Sequence, residues 1–399
     1  MRKSAVVAIH MQQNLSDIEW LHGSLATMDE RPLLPFAEET IEQLNALSSA
    51  LLKDPLSRQY PDVVTFGFFC RRANLLKLKE QYVHPGLRIG RGIVFHIAPS
   101  NVPVNFAYSM AAGLLSGNTN VLRVSQKSFP QVDIIVKHMH EIGMERVAVV
   151  RYTHDSEANK VFSTKCDVRV IWGGDATIAT IRKNALPARA FDICFADRYS
   201  MAVINADELV HEQDVDGWAL RFYNDTYLFD QNACSAPHLV VWLGADDNIT
   251  RAKGMFWTAL QRIAEQKYTF QDVMAVDKLT ALYRQAVAMP MHAEKTKDNL
   301  LCRVNIDSLP NDIDAFRCAS GYFTEYTAKN LDEIASIVTR KYQTLAYYGF
   351  EKEELNNFVL RNRLIGIDRI VPLGDTTAFS LIWDGNDLIN TMSRFVDIK

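Results

Sequence analysis

From residue 92 onward, short apolar runs alternate with longer segments in which apolar residues recur at helical spacing. The predicted strands are residues 92–98, 120–124, 146–151, 168–172, 201–205 and 238–243, and the predicted helices are residues 104–115, 132–142, 175–184, 218–227 and 249–266. Strands and helices that alternate at this spacing are typical of parallel sheets covered by helices. The chain is therefore predicted to be an α/β protein built on doubly wound parallel sheets.

The length and composition indicate more than one domain. A chain of 399 residues corresponds to about two to three domains at ~150 residues each. Hydrophobic residues at 48% and charged residues at 23% are ordinary globular values, which excludes a disordered, collagenous or coiled-coil chain. We predict a cofactor-binding domain over residues 1–205, of which residues 1–90 are poorly assigned, and a catalytic domain over residues 206–370. Residues 371–399 have two alternatives, packing with the first domain or forming an oligomerisation arm.

Charge, hydropathy and cysteine spacing exclude several classes of function. The net charge of −4 argues against a dominant basic surface for nucleic acid. No apolar run approaches the ~20 residues that cross a bilayer, and the run at residues 5–9 is too short for a signal peptide. The histidines form no HExxH motif and the cysteines form no CxxC pair, so neither a metal site nor a disulfide framework is predicted. We expect a soluble cytoplasmic protein without a membrane span.

The segment over residues 230–238 joins a predicted helix to a predicted strand and contains Cys234. A cysteine at such a junction can be partly exposed among backbone N–H groups, which favour the thiolate. A thiolate is nucleophilic and can hold an acyl group as a thioester. The alternative from the residues alone is a buried structural cysteine, because the unmodified thiol is among the most buried side chains.

Two junctions between a strand and a helix carry further signals. Asn101 lies in the turn after the first predicted strand, where its amide can donate to an oxyanion, a contribution worth ~3–4 kcal/mol. The alternative for Asn101 is a helix cap. Gly173 and Gly174 follow the predicted strand at residues 168–172 and can admit a pyrophosphate to a helix N-terminus. Because they do not form a GxGxxG motif, a tight turn is the alternative.

Three blocks, in order along the chain, resemble segments of the aldehyde dehydrogenase superfamily. Residues 97–103 with residues 117–125 are similar to its Pro-x-Asn-x-Pro and Gly-Asn-Thr segments. Residues 231–238 resemble the nucleophile segment of its acyl-CoA reductase branch, of LuxC type, and residues 369–388 resemble the C-terminal signature of that branch. The resemblance implies two doubly wound parallel-sheet domains with a small oligomerisation element. It also implies that Cys234 is the nucleophile.

The chain departs from ordinary aldehyde dehydrogenases where those enzymes carry a glutamate that activates the water which hydrolyses the thioester. Phe195 takes that position here. A site without a base beside the thioester lets the acyl enzyme persist, which fits reduction of an acyl thioester. Asp197 is the alternative source of a carboxylate.

A second departure concerns the nucleotide. Gln126 replaces the glutamate that repels a 2′-phosphate in NAD enzymes of the superfamily, and Arg123 offers a guanidinium suited to phosphate. The resemblance therefore implies NADPH, with NADH accepted as the alternative. The residues that it assigns to the cofactor are Ser100, Arg123, Ser125, Gln126, Gly173, Gly174 and Phe323.

The function implied by the resemblance is NADPH-dependent reduction of a fatty acyl thioester, carried by CoA or by a protein, to the aldehyde. In that reaction Cys234 holds the acyl group and Asn101 donates to the oxyanion. His238, four residues after Cys234, is a candidate for proton transfer, and the alternative is a structural histidine of the strand. An acyl-activating ligase as partner and a homo-oligomer are implied as well. Three alternatives stay open: oxidation of an aldehyde to the acid, acyl transfer or thioester hydrolysis on cysteine without a redox step, and a non-enzymatic accessory role.

Overall fold

The structure, a computed structural model, describes residues 17–82 and 86–399. The apolar run at residues 5–9, on which the prediction about a signal peptide rests, lies outside the described residues. The chain divides into two compact units: unit 1 comprises Met1–Ala196 and Leu381–Lys399, and unit 2 comprises Asp197–Ser380. The predicted domain boundaries at residues 205 and 370 stay a prediction. Across the described ranges, no helix is both long enough and apolar enough to span a membrane.

The secondary structure alternates along most of the chain. The strands are β1 (Glu19–His22), β2 (Leu87–Gly90), β3 (Ile93–Ile97), β4 (Thr119–Arg123), β5 (Val147–Arg151), β6 (Val168–Trp172), β7 (Phe191–Phe195), β8 (Tyr199–Asn205), β9 (Pro237–Leu243), β10 (Met291–Lys295), β11 (Cys302–Ile306), β12 (Tyr322–Thr327), β13 (Tyr342–Tyr348), β14 (Arg369–Pro372), β15 (Ile382–Trp383), β16 (Asn386–Asp387) and β17 (Ser393–Val396). The helices are α1 (Glu38–Lys53), α2 (Pro61–Phe69), α3 (Arg72–Glu80), α4 (Asn105–Leu115), α5 (Pro130–Ile142), α6 (Ala158–Ser163), α7 (Asp175–Ile181), α8 (Ala206–Leu209), α9 (Val215–Thr226), α10 (Asp246–Lys267), α11 (Asp272–Ala288), α12 (Asp332–Ala335), α13 (Lys352–Asn362) and α14 (Leu388–Met392).

The main sheet of unit 1 has the strand order β1-β5-β4-β3-β6-β7. Neighbouring strands are parallel, except that β1 runs antiparallel to β5 at the edge. From β3 the chain builds outward through β4 and β5 on one side and through β6 and β7 on the other. The sheet is therefore doubly wound, as predicted, and its strand order reverses between β3 and β6. Ligands of such sheets bind outside the carboxyl ends of the strands at this reversal.

Every residue of β3 is buried, which explains its continuous apolar pattern. The polar exception, His96, bonds through Nδ1 to Ser109 Oγ at 2.7 Å and through Nε2 to Asn120 Oδ1 at 2.8 Å. Burial lowers the pKa of His96 to about 4, so the ring is neutral at pH 7. Gly113 permits this packing, since a Cβ there would lie 1.9 Å from Asn120 Oδ1. These contacts fix α4 against β3 and β4.

The C-terminal residues return to unit 1. There β17 pairs antiparallel with β2. The Asn118 side chain donates to the carbonyl oxygen of Met392 at 2.9 Å, and Arg91 Nε donates to the carbonyl oxygen of Thr391 at 2.9 Å. Unit 1 is therefore made from two separate stretches of the chain, and unit 2 is a continuous stretch between them.

The sheet of unit 2 has the strand order β10-β11-β12-β9-β8-β13-β14. Its strands are parallel except β10, which runs antiparallel to β11 at one edge. One face of this sheet packs on α9 and α10 through a core rich in aromatic rings. The largest of these buried aromatic side chains are Phe222, Tyr227, Trp242, Phe256, Trp257 and Phe323.

A buried carboxylate lies in this core. Glu325 on β12 has no exposed surface. It accepts hydrogen bonds from Trp242 Nε1 at 2.8 Å, from Trp257 Nε1 at 2.9 Å and from Arg303 Nε at 2.7 Å. A buried charge is tolerated where it is paired and hydrogen-bonded, as here. Glu325 thereby links β9, β11 and α10 to β12.

A second buried carboxylate holds the loop after β14. Asp225 on α9 accepts hydrogen bonds from the backbone N–H groups of Gly374 at 2.6 Å and Thr376 at 3.0 Å. Arg369 Nη1 donates to the carbonyl oxygen of Thr376 at 2.8 Å from the other side. Burial raises the pKa of Asp225 to about 6, although the N–H donors act in the opposite direction. The loop is therefore fixed by a carboxyl group that titrates near neutral pH.

Candidate active site

Cys234 lies in the segment over residues 230–236, between the 3₁₀ turn Tyr227–Phe229 and β9. The segment begins with two non-glycine residues in the left-handed region, Asp230 at φ 50° and Gln231 at φ 60°. This conformation turns the chain sharply after the helical turn. Cys234 follows and is exposed. The structure thus places Cys234 at a junction between a helical turn and a strand, on the surface of unit 2.

The other five cysteines differ from Cys234 in exposure. Those that are buried or half-buried are Cys70, Cys166, Cys194, Cys302 and Cys318. Burial raises the pKa of Cys166 to about 12 and that of Cys302 to about 11. The thiolate is the reactive form of cysteine. Of the six thiols, all within the described ranges, the exposed Cys234 is therefore the one suited to attack a substrate.

Gln231 holds the cysteine segment to its surroundings. Its side chain has no exposed surface, and all four of its hydrogen-bonding positions are used. Nε2 donates to the carbonyl oxygens of Pro237 at 2.9 Å and Tyr322 at 3.0 Å. Oε1 accepts from the backbone N–H groups of Gly321 at 2.9 Å and Tyr322 at 3.1 Å. One amide therefore joins the cysteine segment to the start of β9 and to the loop before β12.

Ser200 contacts the peptide group of Cys234. Its Oγ, which is buried, donates to the carbonyl oxygen of Cys234 at 2.7 Å. The same Oγ accepts from the backbone N–H of Thr344 at 3.1 Å. Ser200 lies on β8 and Thr344 on β13, so two central strands of the sheet fix the position of the Cys234 backbone.

His238 is the second residue of β9 and is a neutral imidazole. Its Nδ1 lies 3.0 Å from the carbonyl oxygen of Cys318. A carbonyl oxygen only accepts, so Nδ1 carries the proton and Nε2 carries a lone pair. Burial, with a smaller contribution from the charge of Arg317, lowers the pKa of His238 to about 4. The ring also stacks on Tyr199, with centroids 5.7 Å apart.

The question of a carboxylate base concerns Phe195 and Asp197. Phe195 ends β7 and is buried, and its ring stacks on Trp172 with centroids 3.8 Å apart. Asp197 pairs with Arg317, whose Nη2 lies 2.8 Å and 2.6 Å from the two carboxylate oxygens. Both carboxylate oxygens of Asp197 are therefore already in contact with a guanidinium.

The predicted polar residues of unit 1 lie at the carboxyl ends of its central strands. Ser100 and Asn101 follow β3 and are exposed. The N-cap of α4 is Val104, without a side-chain cap. The alternative reading of Asn101 as the cap of this helix is therefore wrong, and its amide faces solvent.

Arg123, Ser125 and Gln126 lie at the carboxyl end of β4, next to the turn that follows β3. The Arg123 guanidinium lies over the Tyr152 ring, 5.2 Å from its centroid. Its Nε is buried and has no hydrogen-bond partner among the described residues. Ser125 Oγ accepts from the backbone N–H of Lys127 at 3.1 Å, and Gln126 is exposed. The Arg123 side chain as a whole is half-buried, so part of it is accessible at the end of β4.

Gly173 and Gly174 lie at the carboxyl end of β6. Gly174 is the N-cap of α7, and a Cβ added to it would meet nothing within 4 Å. The strand order reverses between β3 and β6, so the glycine pair and the Ser100 turn flank the reversal point of the sheet. This is the place where doubly wound sheets take their ligands.

Phe323 does not share this environment. It lies on β12 in the core of unit 2 and has no exposed surface. Its ring packs on Phe222 at 5.3 Å and on Trp257 at 5.2 Å between centroids. A ring without exposed surface does not reach a cofactor, so we leave Phe323 out of the proposed cofactor site.

Sequence reasoning missed Ser200, Gln231 as a tether and the Asp197–Arg317 pair. The position of Gln231, three residues before Cys234, could have indicated a role in holding the segment. Its partners Gly321 and Tyr322 lie about ninety residues away, so the sequence does not identify them. No cluster of histidine, cysteine and acidic side chains suited to a metal ion occurs in the part of the chain that the structure describes.

Known proteins similar to this chain come from two comparisons of sequence. A family model described as acyl-CoA reductase (LuxC) matches residues 13–395. The long-chain acyl-protein thioester reductase of Vibrio harveyi is 21% identical over 317 residues, which cover 77% of this chain and 63% of the relative. The enzyme of the same name from Aliivibrio fischeri is 22% identical over 166 residues, which cover 40% of this chain and 33% of the relative. The chain thus spans less than two thirds of either curated relative.

Solved structures show the fold. Aldehyde dehydrogenase 21 from Physcomitrella patens, in complex with succinate, superimposes with a TM-score of 0.64 at 12% identity, covering 90% of this chain and 84% of that one. An NAD-dependent benzaldehyde dehydrogenase from Corynebacterium glutamicum gives a TM-score of 0.62 at 14% identity, covering 92% and 86%. The predicted aldehyde-dehydrogenase-like fold class is confirmed. Since the family model matches almost the whole sequence, the chain belongs to the acyl-CoA reductase (LuxC) family.

Proposed function

We propose that this protein reduces a fatty acyl thioester to the aldehyde through an acyl group held on Cys234. The observation that carries the proposal is the exposure of Cys234 on a segment that buried side chains hold in place. An exposed thiol on a fixed backbone suits covalent catalysis, because the nucleophile is accessible and already positioned. Membership of the acyl-CoA reductase family supports the same reaction.

The chemistry of the chain's own residues follows from this assignment. The Cys234 thiolate forms a bond to the carbonyl carbon of the acyl thioester, and the Cys234 N–H donates to the oxyanion. By resemblance we assign the exposed Asn101 amide the role of a second oxyanion donor. The bond to the donor thiol then breaks, that thiol takes a proton as it leaves, and the acyl group stays on Cys234. When bound, the nicotinamide supplies a hydride to the acyl carbon. Cleavage of the bond between that carbon and the Cys234 sulfur releases the aldehyde and restores the thiolate.

His238 has a limited role in this proposal. Its Nε2 lone pair is available at pH 7, since burial keeps the ring unprotonated with a pKa of about 4. A group with so low a pKa holds a proton only briefly at neutral pH. We propose that His238 relays a proton and does not store one.

The cofactor site is proposed at the carboxyl edge of the sheet of unit 1. The half-buried side chain of Arg123, which carries a guanidinium, and the open space at Gly174 support a nucleotide that carries phosphate groups. Arg123, Ser125 and Gln126 would hold the end of the nucleotide with the 2′-phosphate, and Ser100, Gly173 and Gly174 would lie along the pyrophosphate. A glutamine in place of an acidic residue removes a charge that repels phosphate, so we propose NADPH over NADH.

Reduction is favoured over hydrolysis by two observations. Phe195 is apolar and buried in a stack, and Asp197 is ion-paired. Phe195 carries no basic atom, and the Asp197 carboxylate is already engaged by Arg317, so we propose that no base activates water on the acyl-cysteine. The proposed products are therefore an aldehyde and the released thiol, not a carboxylic acid.

The substrates and partners are proposed at the level of chemistry. The family is named for acyl-CoA and the two relatives for an acyl-protein thioester. Both donors present the same thioester carbonyl. We propose a fatty acyl thioester of either kind as substrate. An acyl-activating ligase as a functional partner and a homo-oligomer follow from the resemblance, and a cytoplasmic location is proposed with them.

The experiment that tests the proposal compares Cys234→Ala with Cys318→Ala. Purified protein is incubated with a panel of acyl-CoA chain lengths and NADPH, and the loss of NADPH absorbance is followed. Intact-mass spectrometry after acyl-CoA alone detects the covalent acyl group. We expect turnover and acylation in the wild type and in Cys318→Ala, and neither in Cys234→Ala.

Reduction that persists in Cys234→Ala would disprove the mechanism. Acylation without any use of NADPH would favour the acyltransferase or thioesterase alternative. Formation of an acid from an aldehyde and NADP⁺, without a requirement for CoA, would favour the aldehyde-oxidising alternative.

A further inference from the structure

Helix α11 contacts unit 2 through both apolar and polar side chains. Ala281 and Leu282 pack on the core of the unit, and the buried residues of the helix are Lys278 and Gln285. Lys278 Nζ donates to the carbonyl oxygens of Asn299 at 2.7 Å and Leu300 at 3.3 Å. The Gln285 amide accepts from the Tyr322 hydroxyl at 2.8 Å. The side of α11 that faces the unit therefore includes two polar side chains of a kind that amphipathic helices usually place in water.

The opposite side of α11 is apolar and faces solvent. Five large apolar or aromatic side chains of α11 are exposed, and the four with the highest exposure are Val273 at 59%, Val276 at 62%, Tyr283 at 63% and Val287 at 89%; the fifth is Leu279 at 43%. Together with Thr280, the four most exposed residues are spaced three, four, three and four residues apart. At 3.6 residues per turn these five positions fall within an arc of about 80°. This is the a and d pattern of a two-helix seam, with Val273, Thr280 and Val287 at a.

The charges beside this seam select the partner. Asp277 and Arg284 both occupy e positions of the same heptads, and neither forms an ion pair within the described ranges. In an antiparallel pair of identical helices, e positions face e positions. Asp277 of one helix then lies near Arg284 of the second copy, and the reverse pair forms by symmetry.

A parallel pair of the same helices is disfavoured. In a parallel pair, the g position of one helix faces the following e position of the other. Asp272 occupies a g position and Asp277 the following e position, so an Asp272–Asp277 contact would form on each side of the seam. Like charges placed opposite each other are destabilising. The charge pattern is therefore complementary to itself in the antiparallel orientation alone.

We propose that α11 is a self-association surface, which packs antiparallel against α11 of a second copy of this chain. With the two-fold axis between Thr280 and Tyr283, Val276 faces Val287 of the second copy, and Thr280 faces Tyr283 of the second copy. A helix of 17 residues is about 25 Å long. A seam of that length buries less area than a standard stable interface, so the association by this surface is weak and depends on protein concentration.

The test is a charge exchange followed by sedimentation equilibrium between about 1 and about 200 μM protein, the range in which weak interfaces titrate. We expect the wild type to shift from monomer to dimer, or from a smaller to a larger assembly, across this range. Val276→Glu abolishes the shift. Asp277→Arg weakens it about tenfold or more, because two arginines then face each other, and the double variant Asp277→Arg with Arg284→Asp restores it.

The control is Leu360→Glu on α13, at a site of equally high exposure, which leaves the shift unchanged. Thermal unfolding verifies that each variant is folded, as expected for exposed positions. A wild type of constant mass across the range overturns the proposal. So does a shift that survives Val276→Glu, and so does a double variant that stays as weak as Asp277→Arg, because only a second copy carries the exchanged charges.

Discussion

Replacing Gln231 by leucine tests whether one buried amide holds the cysteine segment. Leucine has a similar size but no polar group, so the N–H groups of Gly321 and Tyr322 and the carbonyl oxygens of Pro237 and Tyr322 lose their partner. Each unsatisfied buried group costs ~1–3 kcal/mol. Four such groups, partly rescued by water, give an expected loss of about 4 kcal/mol.

The loss is measured by thermal unfolding followed by circular dichroism. For a domain of roughly this size, each kcal/mol corresponds to about 2–4 °C, so we expect the transition of unit 2 to fall by about 10 °C. Hydrogen exchange gives a local readout: the amides of Gly321 and Tyr322 exchange faster in the variant. The matched control is Gln213→Leu, at an exposed position of the same unit, for which we expect almost no change.

A Gln231→Leu protein that melts within a degree or two of the wild type would refute this reasoning. Unchanged protection of the two amides would do the same, since it would mean that other groups satisfy them. A lower melting temperature with unchanged protection would place the destabilisation elsewhere and would also count against the tether.

Three further predictions concern single side chains. Gln126→Glu places a carboxylate near the proposed 2′-phosphate site, so we expect weaker binding of NADPH than of NADH by calorimetry; unchanged relative affinities would contradict the assignment. Ser200→Ala leaves the Cys234 carbonyl and the Thr344 N–H unsatisfied, so we expect a loss of about 2 kcal/mol in urea unfolding and slower acylation of Cys234; equal stability would be evidence against it. Burial raises the pKa of Asp225 to about 6. The stability that protonated Asp225 contributes is therefore fully present below the pKa of the unfolded chain, and up to ~3 kcal/mol of it is lost as the pH rises through about 6. Asp225→Asn should flatten this dependence in urea titrations, and a parallel pH profile for the two proteins would rule out the assignment.

The central strands were predictable because their residues are buried on both faces. Residues 93–97 and 168–172 are mainly apolar runs, interrupted by His96 and Arg169 respectively, and both form fully buried strands. The edge strand β1 was not predictable. It has four residues, an irregular register against β5 and an antiparallel partner more than a hundred residues away, so nothing in its local sequence specifies the pairing.

The candidate site was predictable only in part, because several of its contacts join residues that are far apart in the sequence. Cys234 and Asn101 belong to local patterns in which a turn joins regular elements, and such patterns can be read along the chain. Ser200 and Gln231 act through partners from distant strands. Phe323 was assigned to the cofactor only because residues 320–325 occupy the region of a cofactor segment without reproducing it. The surrounding aromatic rings bury Phe323 completely, and that packing is a property of the folded unit.

Unit 1 is formed from two separate stretches of the chain, and this has a consequence for the order in which the two units can fold during synthesis. Domains of a growing chain generally fold as they emerge, with the N-terminal one first. Here β2 stays without its partner strand, and Asn118 without its acceptor at Met392, until residues 392–396 have been synthesised. Unit 2 is one continuous stretch that ends at Ser380. All residues of unit 2 are therefore synthesised before unit 1 receives the strand that pairs with β2.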